Sequence, residues 1–520
     1  MPDTKHFVAG ARVVSLLTLL SRVLGMLRDV LCAAAFGAGG MWSAFSVAFM
    51  IPNLFRRLFG EGALSSAFIP VFSEVRQRGD SERAARLAGT VIVSMSILLT
   101  GLIVAGEGVV VLLNRVVEPS PRNQVTLHLT AIMLPFALFI CVVAVLGGLL
   151  NVLGHFAAPA FAPSILNLAI MSDIVIGWVI PGLTVTTRLV ILAWAVVVAG
   201  ILEVILQWAA MRYCNFRLRL SLDLRDEAVR RIVQLTGPMI LGLAVVQINT
   251  LADALIAYLF VPHEGAPGKL YYAQRLYQFP EGVFLTAVAT AIYPQFSLMV
   301  ARKDMAGFGE SLVRGLRMVL FIGVPASVGL ILLREPLVAL CFQRRAFAPS
   351  DTVRTAAILA FYGAGVWAYG LQMMFVRAFY ALQDSRTPVR IAVVMVALNF
   401  TLNIVFVHIL PEPQERGLAL ATAMCAVIQS GWLARCLARR IGHVDWAGLA
   451  SYALRVIAAT ACMGVACRVV EPFLGIHRSV QVLGLLLVGM AVFFGASRLM
   501  GIEELKDLVR LKRRRTPDHA

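Results

Sequence analysis

Charge, acidic residues and long polar loops are what this chain has least of. Only 14% of its 520 residues are charged, and 29 Asp and Glu stand against 46 Lys and Arg. Hydrophobic residues reach 59% and the mean hydropathy +0.82, a composition that excludes a soluble protein and describes a polytopic membrane protein. No loop can hold a soluble catalytic domain, since the longest spans only residues 212–231. That argues against a membrane enzyme with an extramembrane active site. The eight Cys form no CxxC or Cys/His spacing, so neither a disulfide framework nor a zinc site is indicated, and they read as small core residues. The net charge of +17 is spread over short inter-span segments and a terminal RLKRRR. Without an amphipathic or aromatic-interleaved basic module it does not indicate nucleic acid, and positive-inside topology is the simpler cause. The N-terminus, MPDTKHFVAGARVVSLL, has no small-residue cleavage site after its apolar run, so it is expected to be retained.

What the chain has is apolar runs, about fourteen of them separated by short polar or Gly/Pro-containing breaks. They cover residues 11–36, 41–73, 88–113, 127–153, 159–180, 188–211, 229–260, 270–300, 312–333, 352–381, 387–409, 416–434, 447–467 and 479–500. The expected fold is an all-α polytopic membrane protein. Alternate loops carry roughly 25 Lys and Arg on the N-terminal side against roughly 10 on the other, which places both termini in the cytoplasm. The 212–228 linker, with Leu218, Leu220, Leu222 and Leu224 among its charges, suits a strip on the headgroups or an interfacial helix; a solvated linker is the alternative. The basic residues at 512–515 read as a topology anchor on anionic lipid.

An internal repeat divides the chain. Glu61-Gly62 is followed by Pro70-Val71-Phe72-Ser73, and Glu281-Gly282 by Pro294-Gln295-Phe296-Ser297, in spans six apart. The expectation is a six-helix bundle over 1–211, the linker, a second bundle over 229–440, two extra helices over 441–500 and a basic tail over 501–520. Gly25, Pro52, Gly60, Gly62, Pro238 and Pro280 mark candidate hinges.

The chemistry concentrates in residues 21–74, where Arg22, Arg28, Asp29, Arg56, Arg57 and Glu61 sit in otherwise apolar segments. Each central Arg costs roughly 2.5 to 3.5 kcal/mol on insertion scales, so something anionic has to offset it. Asn53, Arg56 and Arg57 fall at i, i+3 and i+4, one face if the segment stays helical, and Arg275 holds a comparable place in the second bundle. Guanidiniums converging from two bundles would bind a multiply charged anion, and their forked donors match phosphate oxygens, with diphosphate preferred. The competing reading pairs Arg28 with Asp29, Arg56 with Glu61 and Arg275 with Glu281. Asp29 and Glu61 are read as orienting an Arg rather than carrying a proton, and Gln274 and Gln278 as polar lining.

The segments SRVLGMLRD, FGAG, PNLFRRLFGEGALSSAFIPVFSE, YAQRLYQFPEGV and RAFYALQDSRTPVRIA resemble the MurJ (MviN) family of lipid II flippases, within the multidrug/oligosaccharidyl-lipid/polysaccharide exporter superfamily. The resemblance runs along essentially the whole chain. It implies a V-shaped fold of fourteen helices, two bundles plus two C-terminal helices that form a groove for a polyprenyl tail. It implies a multi-pass protein of the bacterial cytoplasmic (inner) membrane that moves lipid II to the outer leaflet, with no cofactor, its expected partners being the lipid itself and anionic membrane lipids, and a monomeric state. It also implies that Ser21, Arg22, Arg28, Asn53, Arg56 and Arg275 line the headgroup cavity.

The chain departs from the family pattern at Ser43, Gln274 and Gln278, where many members have acids, so the cavity should be more positive than usual. Family members also resemble one another in a cation site, whose matching positions here are Asp253, Asn399, Asn403 and Thr422. Those oxygens suit a hard monovalent cation, Na+ or H+ being the coupling candidates; interhelical hydrogen bonding is the alternative for Asn399, Asn403 and Thr422. Three rivals stand beside the flippase expectation: a flippase for another polyprenyl-linked oligosaccharide, a drug/cation antiporter and a membrane glycosyltransferase. The antiporter would want acids facing its cargo, and the glycosyltransferase an acid in an external loop, where GAGGMW has none.

Overall fold

The computed structural model describes residues 4–60, 63–442, 444–474 and 478–502, and among them the chain is helical, without a strand. Glu61 and the basic tail beyond residue 502 lie outside the described residues. Two compact units form. The first holds residues to Tyr258 with His263–Gly268 and Arg344–Phe347, and the second holds Leu259–Pro262, Lys269–Gln343 and the chain from Ala348 onward.

In unit 1 the helices are α1 (Thr4–Phe36), α2 (Gly40–Phe55), α3 (Ala63–Gln77), α4 (Ser81–Val116), α5 (Pro121–Met133), α6 (Phe136–Val152), α7 (Ala157–Val179), α8 (Val185–Tyr213) and α9 (Glu227–Phe260), which ends beyond the unit. Side-chain caps fix several of the starts. Asp80 accepts from the Arg83 N–H at 2.7 Å and Ser120, ahead of Pro121, from the Asn123 N–H at 3.1 Å. Helix α1 packs along α7, α7 along α8, and α2 along α5. A run of stacked rings, Phe36, Trp42, Phe45 and Phe49, at centroid spacings of 5.7, 5.2 and 5.9 Å, fills the interior. Helix α9 is tied to α5: the Arg122 guanidinium lies 4.1 Å from the Tyr258 ring centroid, and the Tyr258 hydroxyl donates to Asn123 at 2.7 Å.

Unit 2 takes α10 (Ala266–Pro280) from Lys269, α11 (Thr286–Ala301), α12 (Met305–Leu332), α13 (Arg334–Phe342), α14 (Pro349–Ala364), α15 (Val366–Ala381), α16 (Arg386–Ile409), α17 (Arg416–Ile441), α18 (Trp446–Val470) and α19 (Arg478–Leu499). Helix α12 is central, packing on α15 and α18, while α16 pairs with α17 and α18 with α19.

Each expected apolar run falls on helical residues. Among the described residues ten helices are long and apolar enough to cross a membrane, or eleven if α14 and α15, bent by 41°, count as one span. Counted this way the crossings are fewer than the expected fourteen, because α1, the interrupted α2–α3 segment and α9 do not enter that class. The short sequence repeat has a backbone counterpart. A π-helical turn at Arg56–Gly60 joins α2 toward α3, and another at Glu281–Leu285 joins α10 to α11. Each follows a proline, Pro52 or Pro280, whose missing N–H removes one i→i−4 bond and makes a widened turn cheaper.

The linker after α8 is extended rather than helical, and most of its residues are exposed. Residues 216–223 run without helical structure along the first turns of α4. The Arg219 N–H donates to the Ala85 carbonyl at 3.4 Å, Ser221 and Thr90 share a hydroxyl hydrogen bond of 2.8 Å, and Arg219 pairs with Glu82. Gly89 permits the close approach, since a Cβ there would overlap the Arg219 carbonyl. Leu220, Leu222 and Leu224 stay exposed, an apolar strip with the period of extended chain rather than of a helix.

Candidate functional site

Helix α1 reaches its charged stretch facing α7, and a buried guanidinium there requires acceptors. Arg28 donates from Nε and Nη2 to Asp29 Oδ1, at 3.0 and 2.7 Å, and from Nη1 to Asn167 Oδ1 at 3.0 Å. Asn167 in turn donates from Nδ2 to the Ser21 carbonyl at 3.1 Å. Ser21, Arg28 and Asp29 therefore meet through Asn167, a residue the sequence analysis did not select. The Arg28–Asp29 pair left open there is made, with side chains 11% and 4% exposed. Arg22 lies on the exposed side of the same helix.

Arg56 and Arg57 open the π-helical turn, so the regular α spacing from Asn53 extends only to its start. The side chains of Asn53, Arg56 and Arg57 are half-buried, and Arg57 donates to Gln247 Oε1 on α9 at 3.1 Å. Asn53 Oδ1 is buried without a hydrogen-bond partner among the described residues. Residues 21–61 carry four arginines against two acids, Asp29 and Glu61, so the segment keeps a positive excess even with both acids ionised.

In unit 2, Arg275 is half-buried on α10 and packs on its own helix neighbour one turn back. Its guanidinium carbon lies 4.7 Å from the Tyr271 ring centroid, and Nη2 is 3.3 Å from the Tyr271 hydroxyl. Gln274 donates to the Tyr362 hydroxyl at 3.1 Å, and Tyr277 stacks on Tyr362 with centroids 4.7 Å apart. The glutamine thus belongs to an aromatic cluster on α10 and α14. Gln278 is half-buried on the same helix. Ser43, in unit 1, is fully buried and accepts from the Gly268 N–H at 3.0 Å, so the small hydroxyl serves close packing.

The expected cation residues split between the units: Asp253, 4% exposed on α9, belongs to unit 1, and Asn399, Asn403 and Thr422 to unit 2. Asn403 donates to Asn399 Oδ1 at 2.8 Å, Asn399 contacts Thr422 Oγ1 at 3.4 Å, and Thr422 donates to the Leu418 carbonyl at 3.0 Å. Of these, the Asn399–Thr422 contact crosses from α16 to α17, and each of the other two lies within one helix.

Several other charges in unit 2 are paired among the described residues. Lys269, 1% exposed, meets Asp351 at 2.9 Å, and Arg354 grips the fully buried Glu415 with two bonds of 2.7 and 2.9 Å. Asp384, in the RAFYALQDSRTPVRIA segment, caps α16 by accepting from the Thr387 N–H at 3.0 Å and hydroxyl at 2.6 Å, and it pairs with Arg440 at 2.8 Å. Burial opposes ionisation of Asp384, but the Thr387 bonds and the Arg440 charge outweigh it and hold the carboxyl below its ordinary value. These pairs join residues up to 82 positions apart, such as Lys269 and Asp351, and no local spacing signals them.

The chain matches the family model described as lipid II flippase MurJ over residues 32–485. It is 33% identical to a probable lipid II flippase MurJ of Rhizobium tropici, over 96% of this chain and 95% of that one. A probable lipid II flippase MurJ of Vibrio cholerae is 34% identical over 84% of this chain and 83% of its own. Among solved structures, the lipid II flippase MurJ in an inward closed conformation superposes with a TM-score of 0.79 at 24% identity, covering 95% of this chain and 99% of that one. An inward-facing multidrug resistance transporter of the MATE family gives a TM-score of 0.68 at 13% identity, covering 83% and 98%. At those identities the structures speak to the fold, which is that of polytopic helical transporters. The family match, covering most of the chain, and the relatives above 30% identity place this chain in the lipid II flippase MurJ family.

Proposed function

We propose that this protein is a transporter rather than an enzyme, and that it moves lipid II from the cytoplasmic to the outer leaflet of the bacterial inner membrane by alternating access. The observation that carries this reading is the family match over residues 32–485, which takes in Arg56, Arg57 and Arg275. The chemistry of the cations supports it. An apolar span tolerates several arginines when a diphosphate neutralises them, and the guanidinium fork suits phosphate oxygens. Ser21, Arg22, Arg28, Asn53, Arg56 and Arg275 are the proposed headgroup contacts. Asp29 orients Arg28 at 2.7 Å, and Glu61, Gln274 and Gln278 play supporting parts. Helices α18 and α19, with exposed Leu454, Ile457, Leu483 and Leu487, would receive the polyprenyl tail. The protein acts as a monomer with both termini in the cytoplasm, its basic tail on anionic lipid.

The cycle follows from charge. With the cytoplasm negative, outward passage of about two negative charges is favoured by roughly 4.6 kcal/mol at 100 mV, and return of the empty, positive cavity is favoured by the same field. A cation taken up by the set containing Asp253 would add to that drive.

The test is lipid II flipping by the purified protein in liposomes under an imposed potential, for wild type, Arg28→Ala and Arg275→Ala matched for folding. Each variant should lose about tenfold or more in rate, the worth of a charge-assisted bond to phosphate. Absence of wild-type flipping would reject lipid II as the cargo. Unimpaired variants would move both arginines to a structural role.

A further inference from the structure

Helix α8 carries a carboxyl that the headgroup site does not use. Glu203 is 1% exposed and lies about 15 Å of helical rise from the end of its helix at Tyr213. Neither of its oxygens has a hydrogen-bond partner among the described residues. One turn on, Gln207 is equally buried, and its Oε1 is likewise without a donor. Ser164, on the facing helix α7, is 0% exposed with an unpartnered Oγ. The Glu203 carboxyl lies near the Leu166 N–H, two positions from Ser164, outside ordinary hydrogen-bond geometry. Gln207 Oε1 and Pro159 of α7 flank the same point beside Gly147 of α6, each 3.5 Å from where a Cβ would stand. Pro163, inside α7, removes the ordinary helical donor to the Pro159 carbonyl.

Buried oxygens without donors are costly in an apolar interior, and native proteins leave few of them. What this group lacks is a donor or a cation. A proton on Glu203 would supply an O–H for a neighbouring oxygen, and a small hard cation takes oxygen ligands of this kind. The charged surroundings are sparse. Helices α2 and α6 carry no charged residue, and Cys141 is the titratable group of α6. Helix α7 carries Asp173, beside Arg188 of α8. Helix α5 carries Arg122, stacked on Tyr258, and the exposed His128; Arg212 lies at the far end of α8. The charge whose field reaches Glu203 is Arg56.

We propose that Glu203, Gln207 and Ser164 form a buried site for a monovalent cation, H+ or Na+, and that its loading sets how strongly Arg56 attracts an anion. Empty, the ionised carboxylate offsets the field of Arg56. Loaded, it no longer does so, and cation and anion bind together. The second half rests on the reading that Arg56 contacts the diphosphate.

The experiment uses the full chain in lipid nanodiscs, with inorganic pyrophosphate as the anion. In wild type, acidification or added Na+ should tighten pyrophosphate binding by about tenfold, a usual size for coupling between sites. Glu203→Gln, an isosteric stand-in for the loaded form, should bind tightly under every condition and lose this dependence. Comparing wild type with that variant removes the titration of pyrophosphate itself. A response to pH in choline buffer assigns the proton, and a response to Na+ at fixed pH assigns sodium. The same cation dependence in Glu203→Gln would overturn the proposal. Arg56→Ala tests the diphosphate reading separately, since it should abolish binding while leaving Glu203 loadable. Infrared spectroscopy reads that loading without any anion. A carboxyl band that responds to pH or Na+ in wild type and Arg56→Ala, and is missing in Glu203→Gln, is expected; no such band would overturn the site whatever pyrophosphate does.

Discussion

The two units repeat one backbone device and use charge in opposite ways around it. Unit 1 places two arginines in its π-helical turn and adds Arg22 and Arg28 from α1, and the sequence from 21 to 61 holds two acids, Asp29 and Glu61. Unit 2 begins its π-helical turn with an acid, Glu281, and surrounds α10 with Tyr271, Tyr277, Tyr362 and Tyr369. Several of its cations meet acids: Lys269 with Asp351, Arg354 with Glu415 and Glu412, and on its surface Arg440 with Asp384. The contrast sets acid–base pairs that hold unit 2 beside a stretch of unit 1 in which arginines outnumber acids and are proposed to meet a ligand. A fully paired buried ion is costly to break and adds no net field, whereas an excess of one sign is a standing attraction for its opposite.

Breaking the pairs of unit 2 should have the largest effect on stability. Arg354→Ala strands the carboxylate of Glu415, 0% exposed, and should cost about 3 kcal/mol or more, read as a lower thermal unfolding midpoint. The double change to Arg354→Leu with Glu415→Leu should recover much of that loss, because no uncompensated charge remains. Next comes Asn167, which joins α7 to both Arg28 and the Ser21 carbonyl. Asn167→Ala should slow flipping several-fold, by roughly the 1 kcal/mol of one hydrogen bond, with the unfolding midpoint little changed. A large fall in stability instead would mark Asn167 as a packing residue.

The smallest effect belongs to Asp384. Its carboxyl is held below the ordinary value of 3.8 in the fold, so its stabilising contribution is present above that value and lost as pH falls through the lowered one. Asp384→Asn should therefore flatten the acid end of the stability profile and leave neutral-pH flipping intact. A profile unchanged by the substitution would show that the Thr387 and Arg440 contacts contribute nothing measurable.

The charge excess of unit 1 was legible in the sequence because an arginine in an apolar run is conspicuous without any partner. So were the helical segments and the repeat, which rest on local hydropathy and on prolines at matching places. The partners were not. Asn167 lies 139 positions from Arg28, and a single amide in an apolar helix gives no sign of the helix it faces. Glu203 was not selected from the sequence, and its grouping with Gln207 and Ser164 needs the packing of α7 on α8. The linker's form was not legible: alternate leucines suit an extended chain as well as an interfacial helix, and the bonds from 219 and 221 to α4 fix it as extended. For Asn399, Asn403 and Thr422 the sequence could not separate a cation cage from a hydrogen-bonded helix pair, since both use the same oxygens.

The central claim is that the arginines of the apolar 21–61 stretch serve the ligand while the buried Arg354–Glu415 pair serves the fold. It is tested most directly by measuring lipid II flipping per folded molecule and the thermal unfolding midpoint side by side for Arg56→Ala and Arg354→Ala. The account predicts that Arg56→Ala keeps its unfolding midpoint and loses flipping, while Arg354→Ala loses stability and, for the fraction still folded, retains flipping. Equal losses of stability in both variants, or wild-type flipping by Arg56→Ala, would contradict it.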